Sequence, residues 1–149
     1  MFSFFKHQFL TKKEISSILA CIRENESHTS GEIRICIESR CSEVDASTKA
    51  KEIFNKLKMY TTKNRNAILI YIAYKDKVFS LHGDQAIFER TESSFWENQR
   101  TQLAAYFSKK ETLEGIIHCI NNLGNELKTH FPSEGEQKNE LPDDIIFGK

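Results

Sequence analysis

The stretch KNRNAILIYIAYKDKVFSLHGD, residues 63–84, decides the fold. Its centre, AILIYIAY, is apolar at nearly every position, which predicts a strand that helices cover on both faces. A charged turn follows at Lys75, Asp76 and Lys77, and VFSLH then predicts an antiparallel strand that returns alongside the first. The stretch therefore predicts a β-hairpin with one strand at the centre of a sheet.

An earlier segment supplies a second central strand. In EIRICIE, residues 32–38, isoleucine alternates with charged residues and cysteine, which predicts a strand with one buried face and one partly wet face. A helix beginning at about Asp45 separates it from the hairpin. Strand, helix and strand in that order predict a parallel pair with a right-handed crossover.

Three further helices complete the predicted fold. Thr11 and Glu14 have capping-box spacing and precede apolar residues at helical intervals. After a predicted loop, GDQAIFER, Ser93 or Ser94 is a candidate cap for a helix containing Trp96. Apolar residues at helical spacing from Leu113 onward predict a last helix that Pro132 ends. The fold class is therefore α/β: a three-layer α/β/α sandwich with a small mixed sheet, made of a parallel pair and an antiparallel hairpin strand.

The length of 149 residues is that of one domain. We assign residues 1–132 to the α/β/α domain and residues 133–149 to a polar linker with an apolar and acidic tail, LPDDIIFGK, whose docking is left open. The N-terminal MFSFFKHQFL is interpreted as a packing segment, not a signal peptide.

The charge balance limits the partners. Lysine plus arginine and aspartate plus glutamate are equal, 21 against 21, so the basic surface that nucleic acid binding needs is not predicted. No apolar run is long enough for a membrane span. The cysteines are Cys21, Cys36, Cys41 and Cys119, without C-x-x-C pairing, which indicates reduced thiols in a cytoplasmic protein.

The predicted topology brings three polar segments to one edge of the sheet: TSGE before the first strand, KNRN before the second, and HGD after the third. The candidate metal ligands there are Glu32, Asn64, Asn66 and Asp84, with Glu97 of the next helix as a less certain addition. Mixed carboxylate and carboxamide oxygens on loops suit Ca²⁺. Ordinary solvated turns are the alternative at this point.

The opposite edge ranks second. Glu38, Ser39, Arg40 and Cys41 follow the first strand there, and Asp76 lies in the hairpin turn. Arg40 and the two turn lysines would oppose a cation. No nucleophile elbow, phosphate loop, dinucleotide fingerprint or zinc-ligand spacing is found, so the catalytic residues are unknown and no nucleotide cofactor is predicted.

The order of these segments resembles the TPM domain family. TSGEIRICIE, the stretch at 63–84, Phe95-Trp96 and the later Glu114-Gly115 and Leu123-Gly124 carry the resemblance, from Leu10 to about Phe131. The family includes a thylakoid-lumen protein of photosystem II repair, and the tail resembles that of a small soluble bacterial branch. The resemblance implies an α/β/α sandwich, Ca²⁺ binding, and the acid phosphatase activity attributed to the chloroplast representative.

Individual positions match the family unevenly. The family's asparagine before the second strand corresponds to Asn66, and its glycine-containing loop corresponds to His82-Gly83-Asp84. Ala67 stands where many members have glycine, and GDQAIFE lacks the second glycine of the loop, so the family's ligand geometry is not transferred.

We therefore expect a soluble, cytoplasmic Ca²⁺-binding module with weak affinity, about 10⁻⁴ to 10⁻³ M. Its partners would be a divalent cation and an unidentified protein. A metal-dependent, acid phosphatase-like hydrolase is the alternative, and a metal-independent protein-interaction domain is the second alternative.

Overall fold

The computed structural model describes residues 9–135, 141 and 144–148. The helices and strands follow one another in chain order as α1 Lys12–Glu26, β1 Glu32–Glu38, α2 Ala46–Lys56, a 3-10 turn Met59–Thr61, β2 Ala67–Ala73, β3 Val78–Gly83, α3 Gln85–Arg90, α4 Ser93–Ser108, α5 Thr112–His130 and β4 Ile146–Phe147.

The sheet has four strands in the order β3-β2-β1-β4. β1 and β2 are parallel, with Glu32 beside Ala67 and Glu38 beside Ala73. β3 returns antiparallel to β2. The predicted mixed sheet is confirmed, and β4 adds a second parallel pairing, to β1.

Two apolar cores lie on opposite faces of this sheet. Ile68, Ile70 and Ile72 of β2 belong to the core that β1 isoleucines share with α1, α4 and α5. The alternate residues of β2, from Ala67 to Ala73, belong to a second core with α2 and Met59. Because successive strand residues point to opposite faces, the apolar run AILIYIA serves both cores, as a three-layer sandwich requires.

The predicted helix starts are mostly confirmed. Thr11 and Glu14 form the reciprocal capping box, and the Asp45 side chain accepts a hydrogen bond from the Thr48 N–H. The start of α4 differs from the prediction. Its N-cap is Glu92, without a side-chain cap, and Ser93 is already helical.

The segment GDQAIFER was predicted as a loop, and this prediction is wrong. Residues Gln85–Arg90 form α3. Its N-cap is Asp84, whose side chain accepts a hydrogen bond from the Gln85 N–H. Ile87 is fully buried in the first core. Side-chain capping and one buried apolar residue thus turn a polar loop into a short helix.

The partly wet face of β1 was also predicted wrongly, because all seven residues of β1 are buried. The C-terminal tail covers that strand. Ile146 and Phe147 pair in parallel with Cys36 and Ile37, and Leu141 and Ile145 are each only 7% exposed. The linker is thus followed by residues that return to the sheet.

Some predictions concern residues outside the described part of the chain. The packing role of MFSFFKHQ, residues 1–8, lies there, as does Asp143 of the tail. None of the helices in the described part is both long and apolar enough to cross a membrane.

The contact between α1 and α5 depends on Gly124. A Cβ at this position would overlap Asn25 Oδ1 and lie 2.8 Å from the Asn25 Cβ. Asn25 has little freedom to move, since its Nδ2 donates to Cys21 O at 2.9 Å and to Asn121 Oδ1 at 2.8 Å.

We predict that Gly124→Ala lowers the free energy of unfolding by about 1–3 kcal/mol through overpacking, partly offset by about 1 kcal/mol of helix propensity. Urea unfolding followed by circular dichroism measures the change. In an Asn25→Ala background the same substitution should cost clearly less, because the overlap with Oδ1 is gone and only the 2.8 Å approach to the Cβ at position 25 remains. An equal loss in both backgrounds would contradict this account of the contact.

Candidate functional site

The start of β1, the start of β2 and the end of β3 lie at one edge of the sheet. Ile68 is in register with Gly83, and the Asp84 N–H donates to the Ala67 carbonyl at 2.9 Å. Ser30 and Asn64 precede the two parallel strands. This edge therefore contains the loops from which the candidate ligands come.

Ser30 joins the two asparagines. Its Oγ lies 3.0 Å from Asn64 Nδ2 and 3.2 Å from Asn66 Nδ2. Asn66 is completely buried. Its Oδ1 is also buried and has no hydrogen-bond partner among the residues that the structure describes. The site thus contains a buried acceptor for which the protein supplies no described donor.

Asp84 is engaged by an arginine. Arg65 Nε donates to Asp84 Oδ2 at 2.8 Å and Arg65 Nη2 donates to Oδ1 at 2.9 Å, while the Gln85 N–H reaches Oδ1 at 2.7 Å. The hydrogen bonds and charge of Asp84 raise the pKa of Arg65. The Asp84 side chain is 5% exposed and that of Arg65 45%. Asp84 is therefore a helix cap and the ion-pair partner of Arg65.

Glu32 is engaged by the tail. It is buried, and its Oε1 accepts a hydrogen bond from the Leu141 N–H at 2.7 Å. Its register partner Ala67 belongs to the core on the α2 side of the sheet. The side chain of Glu32 accordingly projects toward that side, where the tail lies.

Glu97 lies on the first turns of α4 and is exposed. Its neighbour Trp96 packs against Gly83, where a Cβ would lie 2.9 Å from the Trp96 Cη2. Because adjacent helical residues point in different directions, Glu97 points to solvent while Trp96 points inward.

The structure thus brings Asn64 and Asn66 together on Ser30, and it gives Asp84 and Glu32 other partners. Across residues 9–135, 141 and 144–148, no group of three or more histidine, cysteine, aspartate or glutamate residues is arranged to hold a metal. Two carboxylates and two carboxamides are the donors that the predicted ligand set offers at this edge.

The opposite edge is held by an internal ion pair. Asp76 accepts from Arg40 Nη1 and from the Cys41 N–H, both at 2.7 Å. The Cys41 N–H, followed by Arg40, lowers the pKa of Asp76. Nearby, the Tyr71 hydroxyl donates to Glu38, and burial is the main cause that raises the pKa of Tyr71. Arg40 thus neutralises the Asp76 carboxylate at this edge.

The cysteines are all free thiols. Cys36 and Cys119 are buried, and burial raises the pKa of each to about 12. A thiol with such a pKa is almost entirely protonated near neutral pH, so neither is an activated nucleophile.

The residue that sequence reasoning missed is Arg65. Its position in KNRN, which was predicted to lie at the same edge of the sheet as Asp84, was the available signal. Arg65 has a left-handed backbone with φ 51°. This conformation is uncommon for an arginine, and sequence patterns give no indication of it.

A comparison with protein families identifies the domain. The sequence model of the TPM domain matches residues 4–126. The chain belongs to the TPM domain family. This match covers the strands and loops that form the candidate edge.

Solved structures agree with this assignment. The TPM domain is similar to the NMR structure of the BA42 protein from the psychrophilic bacterium Bizionia argentinensis, with 36% identity, a TM-score of 0.87, and coverage of 95% of this chain and 97% of that one.

It also resembles the N-terminal domain of the cg2496 protein from Corynebacterium glutamicum, with 11% identity, a TM-score of 0.64, and coverage of 88% and 81%. At this identity the similarity concerns the fold alone. A comparison with curated proteins found no match.

The structural role of Asp84 can be separated from its charge. Asp84→Ala removes the cap and the ion pair, so we expect a loss of about 1–2 kcal/mol in the free energy of unfolding. Asp84→Asn keeps a capping side chain, so the expected loss is about 0–1 kcal/mol. Urea unfolding of both variants tests this, and equal losses would show that capping contributes little.

His82 gives the fold a pH dependence. Burial is the main cause that lowers the pKa of His82 below its ordinary value of 6.5, and its ring packs edge-on against Phe54 at 4.6 Å between centroids. Since the unfolded chain binds the proton more readily, stability is full above about pH 6.5 and falls as the pH decreases toward the lowered pKa.

We therefore predict that His82→Gln flattens the stability profile between about pH 7 and pH 5. Urea unfolding at several pH values measures it, with the same substitution at exposed His28 as the control. If the pH dependence of stability persists in His82→Gln and disappears in His28→Gln, it is caused by His28 and the prediction is wrong.

Proposed function

We propose that this TPM domain binds a divalent cation, best matched by Ca²⁺, at the edge formed by Ser30, Asn64, Asn66 and Asp84, and that it acts as a binding or regulatory module. The buried Oδ1 of Asn66 carries this proposal. A buried acceptor without a donor costs about 1–3 kcal/mol, and a bound cation would supply the missing partner.

The arrangement of the amides supports the same conclusion. Both Nδ2 groups donate to one hydroxyl, that of Ser30. The carbonyl end of each amide is therefore directed away from Ser30, and that of Asn66 has no hydrogen-bond partner among the described residues. Neutral amide oxygens and a carboxylate on loops form the hard-oxygen donor set that Ca²⁺ accepts in flexible coordination.

Arg65 is the competitor for this cation. Asp84 follows β3 at this edge and is the carboxylate in the proposed donor set, and its oxygens already accept hydrogen bonds from Arg65. The Arg65 side chain is about half exposed, so it leaves for solvent at small cost. An ion that must displace an arginine binds weakly, which agrees with the expected affinity of about 10⁻⁴ to 10⁻³ M.

Glu32 and Glu97 remain predicted ligands of lower rank. Glu32 would first have to release the Leu141 N–H, and Glu97 would have to turn inward from its exposed position. The cytoplasmic location also remains a prediction.

The two alternatives differ in their support. We do not propose the phosphatase activity, since none of the described contacts assigns a nucleophile and a neighbouring base. A metal-independent interaction domain has independent support in the contacts of β1 with the tail, considered below.

The test is an amide-resolved NMR titration of the metal-free protein with Ca²⁺, with Mg²⁺ for comparison. We expect saturable shifts at Ser30, residues 64–66 and Asp84. Asp84→Asn should weaken binding about tenfold, a change of 1.4 kcal/mol. Arg65→Gln should strengthen it about fivefold, because removal of the competing ion pair is worth about 1 kcal/mol.

Asp76→Asn is the matched control, since it makes the same chemical change at the opposite edge and should leave the affinity unchanged. Shifts that gather around Asp76 instead would move the site to that edge. No saturable change up to several times the expected Kd would refute cation binding here.

A further inference from the structure

β1 carries a buried polar stripe. Glu32, Arg34, Cys36 and Glu38 share one face of the strand, and all four are buried. Such a charged face needs partners when it leaves water. The described tail residues 141 and 144–148 provide several of them.

The contacts follow the strand from end to end. Leu141 N–H donates to Glu32 Oε1 at 2.7 Å, and Arg34 Nη2 donates to Asp144 Oδ1 at 3.2 Å. Further along, the Gly148 N–H donates to the Ile37 carbonyl at 2.8 Å. The tail is thus recognised through both its backbone and its acidic side chain, in the manner of a peptide added to a sheet edge.

Apolar side chains of the tail enter both cores. Leu141 belongs to the core on the α2 side, while Ile145 belongs to the core on the other face. Each is nearly fully buried. The tail therefore brings apolar area with it, in addition to its polar contacts.

Two positions make the recognition selective. A Cβ at Gly148 would overlap Glu38 Oε1 and lie 2.8 Å from the Glu38 Cβ, and the Tyr71 hydroxyl holds Glu38 in place. Arg34 is buried, and its Nε finds no acceptor within the described chain. β1 thus favours a tail that has glycine at position 148 and an acidic residue at position 144.

We propose that this edge of β1, the tail groove formed by Glu32, Arg34, Ile37 and Glu38, is a peptide-binding site that accepts the tail of a second copy of the chain in place of its own. Every described contact of the groove with the tail joins residues that all copies possess. Docking in trans restores the same contacts and the same buried area, so exchange differs from cis docking mainly in chain entropy.

Gly135 is placed to allow the exchange. It is exposed, has φ 98°, and a Cβ there would meet nothing within 4 Å. A glycine in this conformation permits the chain to change direction between α5 and the tail. Because cis docking acts at an effective concentration of millimolar order, the intermolecular Kd of the tail is below about 10⁻³ M. This proposal does not depend on cation binding.

The first experiment uses the full chain with Gly148→Val, which blocks its own tail and leaves the groove intact. The probe is a synthetic peptide of residues 136–149, EQKNELPDDIIFGK. We expect saturable NMR shifts at Glu32, Arg34 and Ile37 with a Kd below about 10⁻³ M. The same peptide carrying the glycine-to-valine change is the matched control and should not bind.

If Gly148→Val does not fold, as judged by circular dichroism, the full chain with Asp144→Arg serves as the receptor, because Asp144 is 72% exposed. Its mispaired arginine should weaken the cis tail against Arg34. An absence of saturable shifts at β1 in a folded receptor, at millimolar peptide, would overturn the proposal.

The second experiment tests the source of the tail. A copy with Arg34→Ala keeps its tail and has a weakened groove, so it should donate the tail to the Gly148→Val copy. Titration of the isotope-labelled Gly148→Val copy with the unlabelled Arg34→Ala copy, up to about 10⁻³ M, should give saturable NMR shifts at Glu32, Arg34 and Ile37, and the Gly148→Val copy concentrated alone should not show them. Peptide binding without this complex would overturn the second copy as the occupant.

Discussion

The structure depends on the burial of β2 from both sides. Seven consecutive residues, Ala67–Ala73, are buried, and they alternate between two separate cores. A strand with no wet face needs a helical layer above and below it and a paired strand on each edge. β1, β3, α2 and the α1, α4 and α5 layer supply these. The loops of the candidate site are positioned by this arrangement, because the starts of β1 and β2 are fixed by their parallel register.

Local signals predicted most of this frame. The capping box at Thr11, the cap at Asp45 and the apolar run before Lys75 each reflect interactions between residues close in sequence. Such interactions are visible in the sequence itself. The errors in the predicted secondary structure occurred where a local sequence pattern fits two different structures. GDQAIFER was predicted as a loop, and residues Gln85–Arg90 form α3, because Ile87 is buried in the core.

Contacts between distant residues were beyond prediction. The face of β1 looked wet because its partners at Leu141 and Asp144 lie more than a hundred positions away. The candidate site shows the same limit. The sequence placed Asn64, Asn66 and Asp84 at one edge, yet the choice of Arg65 as the partner of Asp84 depends on a left-handed backbone at φ 51°. Charge and spacing alone could not show whether the partner of Asp84 is a cation or Arg65.

The short strand β4 has a further consequence, for aggregation. Without it, β1 would present the unpaired backbone of an isoleucine-rich strand at the edge of the sheet. Exposed edges of this kind are templates on which other chains add strands. Two residues of tail pairing, Ile146 and Phe147, are enough to cover the part of β1 around Cys36 and Ile37. The tail therefore also keeps strands of other chains from adding to this part of β1.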